Sequence, residues 1–338
     1  MSDELVIRAR NLSKTFRVFD RRPGFWGSLR DCVDRRYREL TAVDHIDLDI
    51  HAGECVGYIG PNGAGKSTTI KMLTGILAPS SGELQVNGFH PQAERTAYVR
   101  TVGAVFGQRT QLWWDLAVAE SLELLRRLYR VSPEDFAKRM ARFDQVLGLG
   151  EFLATPVRKL SLGQRMKADL AASLLHQPRM VFLDEPTVGV DVVTKAHLRD
   201  FLRELNRELG TTFLLTTHDM QDIEAICTRV IVIDHGRIMH DGSCESLKHR
   251  YGGRKRLLLR CSRPVRLDEV PDLPWPDLEW QQESEVELLL IFPAQDITTG
   301  ALLEHLVGVL PIADIAIEEP SIERVVQALE GFSSGTAQ

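Results

Sequence analysis

Residues 60–68 read Gly-Pro-Asn-Gly-Ala-Gly-Lys-Ser-Thr, which completes the spacing G-x-x-x-x-G-K-[ST] of a phosphate-binding loop. Glycines in such a loop let the backbone N–H groups close around a polyanion. Lys66 would bring a mobile positive charge to the β- and γ-phosphates, and the Ser67 hydroxyl would bind Mg²⁺. The pattern predicts a nucleotide site formed by Asn62, Gly63, Ala64, Gly65, Lys66, Ser67 and Thr68.

Short apolar runs predict the elements that position this loop. Residues 54–59 are typical of a buried strand, and residues 66–76 predict a helix whose N-terminus faces the phosphates. Residues 116–147 carry apolar side chains at helical spacing, so the order predicts an α/β nucleotide-binding core with a helical lobe inserted over 113–160. Further strands are expected at 4–10, 44–50, 82–88, 101–106, 180–184 and 212–216, and a hairpin at 229–242.

Polar residues follow three of these strands, at the edge where α/β sheets bind ligands. Asp184 and Glu185 come at the end of one strand, Gln108 follows another, and His218 follows a third. A carboxylate at Asp184 can hold Mg²⁺, and Glu185 is then placed to orient and deprotonate an attacking water. A lone histidine is more often structural than catalytic, so both interpretations of His218 stay open at this point.

A second anion site is predicted at the run LSLGQ, residues 160–164, which precedes an apolar helix. Ser161 and Gly163 lie at the expected N-terminus of that helix, where backbone N–H groups can bind an anion. Alone, this pentapeptide is most often an ordinary helix cap. Asp191 follows Asp184 by seven residues, in a loop that contains a glycine.

Composition limits the class of protein. With 338 residues, two domains are expected: 1–253, and a small α+β domain over 254–331 followed by a disordered tail, 332–338. The net charge of −6 argues against a general nucleic-acid binder, and five cysteines without a C-x-x-C pair predict a reducing compartment. No run approaches the roughly 20 apolar residues that span a bilayer, so any work at a membrane would require a partner.

Taken in order, these motifs resemble the ATP-binding-cassette (ABC) ATPases over residues 4–245: the phosphate loop, Gln108, LSLGQ, LDEP at 183–186, Asp191 and TTHD at 216–219. The resemblance implies a P-loop, RecA-like α/β core with an antiparallel β subdomain and a helical lobe. It also implies that ATP and Mg²⁺ bind between two cassettes paired head to tail, as a homodimer or a heterodimer. Ser161 and Gly163, with Gln164 beside them, would then face the γ-phosphate held by Lys66 of the other cassette.

The same resemblance gives roles to the remaining polar residues. Gln108 would join Ser67 and Asp184 around Mg²⁺, His218 would contact the γ-phosphate, and Asp191 would couple the two sites. Phe16 would stack on adenine, with Phe19 or Tyr37 as alternatives. Two departures stand out, since Leu162 replaces the usual glycine of the signature and the Asp191 loop reads VGVD where SALD is common.

Within the family, the chain looks like one bacterial group of exporter ATPases that pair with separate six-helix permeases. The resemblance is carried by VFGQRTQLWWDL at 105–116, by the insertion at 20–41 and by EEPSIE at 318–323. It implies a peripheral protein on the cytoplasmic face of the inner membrane, exporting something hydrophobic or cationic. Trp113 and Trp114 would lie where the permease docks, or else in the core of the lobe.

The segment 21–40 predicts an amphipathic basic helix. Its six arginines over 21–38 outnumber two aspartates, which favours contact with the anionic membrane surface or with the cytoplasmic end of a permease. The alternative is that its apolar stripe packs on its own domain. Its apolar residues follow a 3-4-4-3 spacing: Trp26, Leu29, Val33, Tyr37 and Leu40. The alternative function from another class is a soluble ABC ATPase acting on ribosomes or DNA, which is less expected because this chain carries one cassette and no long coiled coil.

Overall fold

The computed structural model describes residues 4–19, 37–107, 109–217, 219–251, 254–275, 277–293 and 297–318. The chain divides into two compact units, residues 1–241 and 242–338. Each unit has its own hydrophobic core.

The first unit mixes helices and strands, and the second unit is richer in strands than in helices. The strands are β1 Leu5–Phe19, β2 Tyr37–His51, β3 Cys55–Ile59, β4 Ser81–Val86, β5 Val102–Phe106, β6 Met180–Asp184, β7 Thr212–Thr216, β8 Arg229–Asp234, β9 Arg237–Gly242, β10 Arg254–Cys261, β11 Glu279–Ser284, β12 Glu287–Pro293 and β13 Ile312–Glu318. The helices are α1 Lys66–Leu73, α2 Arg95–Tyr98, α3 Val118–Leu128, α4 Pro133–Leu147, α5 Leu162–Leu174, α6 Val192–Leu209, α7 Met220–Ile226, α8 Cys244–Tyr251 and α9 Thr299–Leu306.

A sheet in the order β5-β6-β7-β3-β8-β9 forms the centre of the first unit within the described ranges, and its strands from β5 to β8 pair in parallel. β3 and β7 are buried along their whole length, as expected for parallel strands covered on both faces. Because their carboxyl ends share one edge, the residues that follow β3, β5, β6 and β7 are brought together there. The predicted strands at 101–106, 180–184 and 212–216 and the hairpin at 229–242 are confirmed.

A second sheet of this unit is antiparallel, in the order β2-β1-β4. Its strands β1 and β2 are longer than the sequence indicated, and their ladder continues to the pair Phe19 and Tyr37. The predicted helix over 21–40 is therefore wrong for residues 37–40, where pairing with β1 prevails over the helical spacing of Tyr37 and Leu40. Residues 20–36 of that segment lie outside the described residues.

The predicted helical lobe is built from α3 and α4, and local capping explains where α4 begins and ends. The Ser132 hydroxyl accepts a hydrogen bond from the backbone N–H of Asp135 at 3.1 Å, and Pro133 occupies the first turn. Gly148 ends the helix in the left-handed conformation, at φ 65°.

The second unit contains an antiparallel sheet in the order β11-β12-β10-β13, with α9 contributing to its core. Leu257, Leu259, Leu288, Leu290 and Phe292 are fully buried at the centre. This part of the chain contains both strands and a helix, as the sequence pattern predicts. The predicted boundary at residue 253 and the predicted tail, 332–338, lie outside the described residues.

Candidate functional site

The phosphate loop connects β3 to α1, as the motif requires. Lys66 Nζ donates to the backbone carbonyls of Gly60 and Pro61, at 2.6 and 2.9 Å, so the ammonium lies over the loop. The Ser67 side chain is exposed at the N-terminus of α1. Backbone N–H groups of a helix N-terminus attract anions, which makes this end of α1 suited to phosphate.

Two glycines of this loop are required by the fold itself. Gly65 has φ 109°, and a Cβ there would lie 2.4 Å from the carbonyl oxygen of Ala42. A Cβ on Gly60 would lie 2.0 Å from the carbonyl oxygen of Ile233. The loop is thus packed directly against β2 and β8, and only glycine permits that approach.

The carboxyl ends of β5, β6 and β7 are joined by hydrogen bonds beside the loop. Thr216 Oγ1 donates to Asp184 Oδ1 at 2.6 Å, and Gly107 N donates to the Asp184 carbonyl at 2.8 Å. Glu185 N donates to the Thr216 carbonyl at 3.0 Å. Asp184 and Glu185 are therefore fixed by both neighbouring strands.

Glu185 has a backbone conformation that is unusual for a residue with a side chain. Its φ is 57°, in the left-handed region, and a Cβ on Gly107 would lie 2.5 Å from its carbonyl oxygen. Strained backbone that the surrounding structure holds in place is typical of active sites. The close approach of Gly107 and the strand hydrogen bonds supply that hold here.

These residues face one open cleft of about 810 Å³. The structure thus brings together the predicted side chains of the phosphate loop and of the strand ends. Gln108 and His218, which were predicted to act there, lie outside the described residues. The lining comprises Asn62, Ser67, Lys71, Ile76, Phe106, Gly107, Arg109, Asp184, Glu185 and Val188.

The signature run, LSLGQ at residues 160–164, begins α5, and two of its residues cap the helix reciprocally. Ser161 Oγ accepts from the backbone N–H of Gln164 at 3.2 Å, and Gln164 Oε1 accepts from the N–H of Ser161 at 3.0 Å. Ser161 and Leu162 are exposed, and a Cβ on Gly163 would meet no atom within 4 Å. This helix N-terminus is consequently open to a molecule that approaches it.

Both departures from the common family pattern lie at one place. Gly189 has φ 70°, and a Cβ there would lie 2.1 Å from Leu162 Cδ2. The leucine of the signature therefore covers the glycine of the Asp191 loop. Asp191 caps α6 by accepting from Thr194 N at 2.9 Å, and hydrogen bonds from Thr194 hold the pKa of its carboxyl below the usual range.

Comparison with known proteins agrees with this geometry. Residues 43–188 match the family described as ABC transporter. ABC transporter ATP-binding protein NatA of Bacillus subtilis is 33% identical over 65% of this chain and 90% of its own length. Daunorubicin resistance ATP-binding protein DrrA3 of Streptomyces coeruleorubidus is 31% identical over 89% of this chain and 95% of its own length.

The chain belongs to the ABC transporter family. A solved structure of the ATP-binding cassette MJ0796, dimeric and bound to ADP and Pi in a post-hydrolysis state, superposes with a TM-score of 0.59. It is 25% identical and covers 70% of this chain and 98% of its own. The chain is thus an ATP-binding and ATP-hydrolysing cassette. Within the described ranges, this cassette has no helix both long and apolar enough to cross a membrane.

The donor set of the cleft suits the magnesium ion that accompanies ATP in this family. Ser67 offers a hydroxyl and Asp184 a carboxylate, and Mg²⁺ prefers hard oxygen ligands of this kind. Thr216 donates to only one oxygen of Asp184. The residues present therefore fit the ion.

Aromatic residues that were weighed for adenine stacking lie on the β1–β2 pair. Phe16 is half-buried, and Lys14 Nζ lies 5.3 Å from the centroid of its ring. Phe19 and Tyr37 contact one another, with ring centroids 6.0 Å apart. Adenine stacking on Phe16 stays a prediction.

Asp222 is a residue of the cassette that the sequence analysis missed. It is fully buried in α7, and its carboxylate accepts from Thr187 Oγ1 at 2.6 Å and from Arg199 Nε at 2.6 Å. Thr217 Oγ1 lies 3.5 Å away. Asp222 thereby ties the loop before Asp191 to α6 and to the end of β7. An acid flanked by Met220, Ile223 and Ile226 was the available signal.

Asp169 was missed as well. It is buried in α5, where desolvation raises the pKa of its carboxyl to about 6. Its Oδ1 accepts from Thr110 Oγ1 at 2.8 Å and from Gln111 N at 3.0 Å. A single acid inside the apolar run 168–175 was the signal for this residue.

Trp113 and Trp114 are exposed, at 43% and 51%, so the interpretation of both as lobe core is wrong. The guanidinium of Arg165 lies 5.9 Å from the centroid of the Trp114 ring. Large exposed aromatic side chains of this kind are typical of the centre of protein interfaces.

Proposed function

We propose that this cassette powers export through a separate membrane permease, as one half of a head-to-tail pair that encloses ATP. The observation that carries the proposal is the open N-terminus of α5, where Ser161 is exposed and where, among the described residues, nothing packs within 4 Å of a Cβ built on Gly163. The chain has one set of motifs, so this end must complete the site of a second cassette, either a copy or a relative.

Each residue of the cleft has a separate task in the proposed reaction. Lys66 and the N–H groups of the loop hold the phosphates, and Glu185 orients the attacking water and takes its proton. Magnesium, held by Ser67 and Asp184 with Gln108, supplies charge neutralisation at the phosphates when it is bound. His218 is proposed to contact the γ-phosphate, and Asp191 to couple the two sites.

The export role is supported by the relatives and by the surface. DrrA3 is named a daunorubicin resistance protein, so a hydrophobic or cationic substrate is the class proposed for this cassette. Trp113 and Trp114 are the proposed contact with the permease, which would place the cassette peripherally on the cytoplasmic face of the membrane. Segment 21–40 is proposed to lie against that membrane, and residues 254–331 to stabilise the pair or regulate it.

The pair is tested with Glu185→Gln, which removes the proton acceptor and keeps the shape of the side chain. We expect this variant to bind ATP and to elute as a dimer when MgATP is present, as measured by size exclusion with light scattering. The matched variant Glu185→Gln/Ser161→Ala should bind ATP and stay monomeric. A Glu185→Gln protein that hydrolyses ATP at the wild-type rate would remove the assignment of the base.

The partner is tested by capture on Glu185→Gln with MgATP from detergent-solubilised native membranes, with partners identified by mass. A multi-span membrane protein would support the export role, and its loss in a Trp113→Ala/Trp114→Ala variant would support the contact. Ribosomal proteins or DNA without any membrane protein would favour a soluble ABC ATPase instead.

A further inference from the structure

Two side chains of α5 hold the segment that follows β5. Asp169 accepts from the hydroxyl of Thr110 and the backbone N–H of Gln111, and Gln111 Nε2 donates to the Asp169 carbonyl at 2.8 Å. Arg165 lies one turn earlier and places its guanidinium over Trp114. Residues four apart share one helix face, so one face of α5 fixes residues 110–114.

The same helix begins at Leu162, and its N-cap Ser161 lies about one turn before Arg165. Backbone hydrogen bonds make a helix of this length move as one body. The residue Asp169 on this helix is 95% buried. Trp114 is thus linked to α5 through Arg165, and the preceding residues Thr110 and Gln111 are linked to the same helix through the buried carboxylate of Asp169.

We propose that Asp169 is a positioning residue that couples the Trp113–Trp114 surface to Ser161. A partner that presses on the tryptophans then displaces the N-terminus of α5, and closure at Ser161 moves the tryptophans. The inference deepens the proposed function, since it rests on the head-to-tail pair and on the permease contact. It assigns the transmission between those two surfaces to one side chain.

The alternative is that Asp169 only stabilises the helical lobe. In that case its removal would lower the melting temperature without separating the behaviour of the two surfaces. Asparagine is the conservative variant, because its amide oxygen still accepts from Thr110 and Gln111. Ser173→Ala is a matched control, since Ser173 is buried on the same helix and its hydroxyl donates to the Leu170 carbonyl at 2.8 Å.

The test is hydrogen–deuterium exchange of the full chain, followed by mass spectrometry. Without nucleotide, Asp169→Ala should exchange about tenfold faster than wild type in peptides covering 109–116, because the N–H of Gln111 loses its buried acceptor. Asp169→Asn and Ser173→Ala should exchange no more than threefold faster than wild type. Equal exchange in Asp169→Ala and wild type would overturn the coupling.

The second measurement uses the Glu185→Gln background with MgATP. We expect ATP to protect 60–68, 160–166 and 109–116 together, and Asp169→Ala to remove only the protection at 109–116. Protection at 109–116 that persists in Asp169→Ala would overturn the proposal. If Asp169→Ala fails to fold, Thr110→Val takes its place, since it removes one of the two donors and leaves the carboxylate.

Failure of the proposed function gives a different result. If ATP protects 60–68 but not 160–166 in Glu185→Gln itself, the head-to-tail pair is wrong. The attachment of residues 109–116 to α5 is then decided by the nucleotide-free exchange alone, where faster exchange in Asp169→Ala supports it and unchanged exchange refutes it.

Discussion

Replacing Asp222 with alanine should destabilise the first unit severely. The substitution removes the acceptor of the Thr187 hydroxyl and the buried partner of Arg199, whose Nη2 lies 2.5 Å from the carboxylate. Breaking a buried ion pair from one side typically costs about 3–5 kcal/mol, because the remaining charge stays buried. Arg199 is 18% exposed and keeps Asp219 at 3.6 Å, so the expected loss is near the lower end, about 3 kcal/mol.

The loss is measured as the change in the free energy of unfolding in urea. A unit of this size shifts its melting temperature by roughly 2–4 °C per kcal/mol, so a fall of about 6–12 °C should accompany it. Asp222→Asn should fall between wild type and alanine, because it keeps an acceptor for Thr187 but loses the charge that pairs with Arg199.

Asp200→Ala provides the control of equal charge. Asp200 lies on the same helix as Arg199 and pairs with Arg203 at 2.9 Å, but its side chain is 71% exposed. Exposed pairs contribute well under about 1 kcal/mol, so this variant should unfold like wild type. An Asp222→Ala protein as stable as Asp200→Ala would refute the assignment of a buried clamp at this position.

Three further outcomes follow from the site. Lys66→Ala should weaken binding of a fluorescent ATP analogue at least tenfold without changing the melting temperature, and unchanged affinity would contradict the role of the loop. Gly189→Ala should slow ATP hydrolysis more in the wild-type background than in a Leu162→Ala background. The backbone strain at φ 70° is common to both backgrounds, and only the contact with Leu162 differs. An equal loss of hydrolysis rate in the two backgrounds would contradict that contact. Burial raises the pKa of Asp169 from 3.8 to about 6, so its contribution to stability falls as pH rises from 4 to 6. The free energy of unfolding of Asp169→Asn should therefore exceed that of wild type by about 1–3 kcal/mol at pH 7 and equal it near pH 4. Urea unfolding at both pH values measures this difference.

Much of the nucleotide cleft was predictable from the sequence, because short-range chemistry dictates it. The loop at 60–68 needs glycine wherever it meets Ala42 and Ile233, and continuous apolar runs define β6 and β7 without ambiguity. Motifs that follow such strands must meet at one edge. Spacing and strand order were therefore enough to bring Lys66, Asp184 and Glu185 together.

The buried acids were beyond such reasoning. A helix pattern shows which face is apolar, but it does not show that Asp169 and Asp222 find donors in segments 58 and 35 residues away in sequence. The helix prediction at Tyr37 and Leu40 failed for a related reason. Their spacing fits a helix, but their pairing with β1 joins segments that are distant in sequence. Exposure of Trp113 and Trp114 likewise depends on how α5 packs beneath them.

The capping arrangement at Ser161 has a consequence for which residues this position tolerates. Its hydroxyl oxygen accepts a hydrogen bond from the N–H of Gln164. A hydroxyl that accepts in this way can still donate its own hydrogen. The Ser161 hydroxyl can thus cap the helix and also donate a hydrogen bond to a phosphate oxygen. Aspartate would cap the helix equally well, yet it would present a negative charge and no donor to that anion. Helix stability alone would accept aspartate here as readily as serine, whereas the proposed contact with phosphate would exclude it.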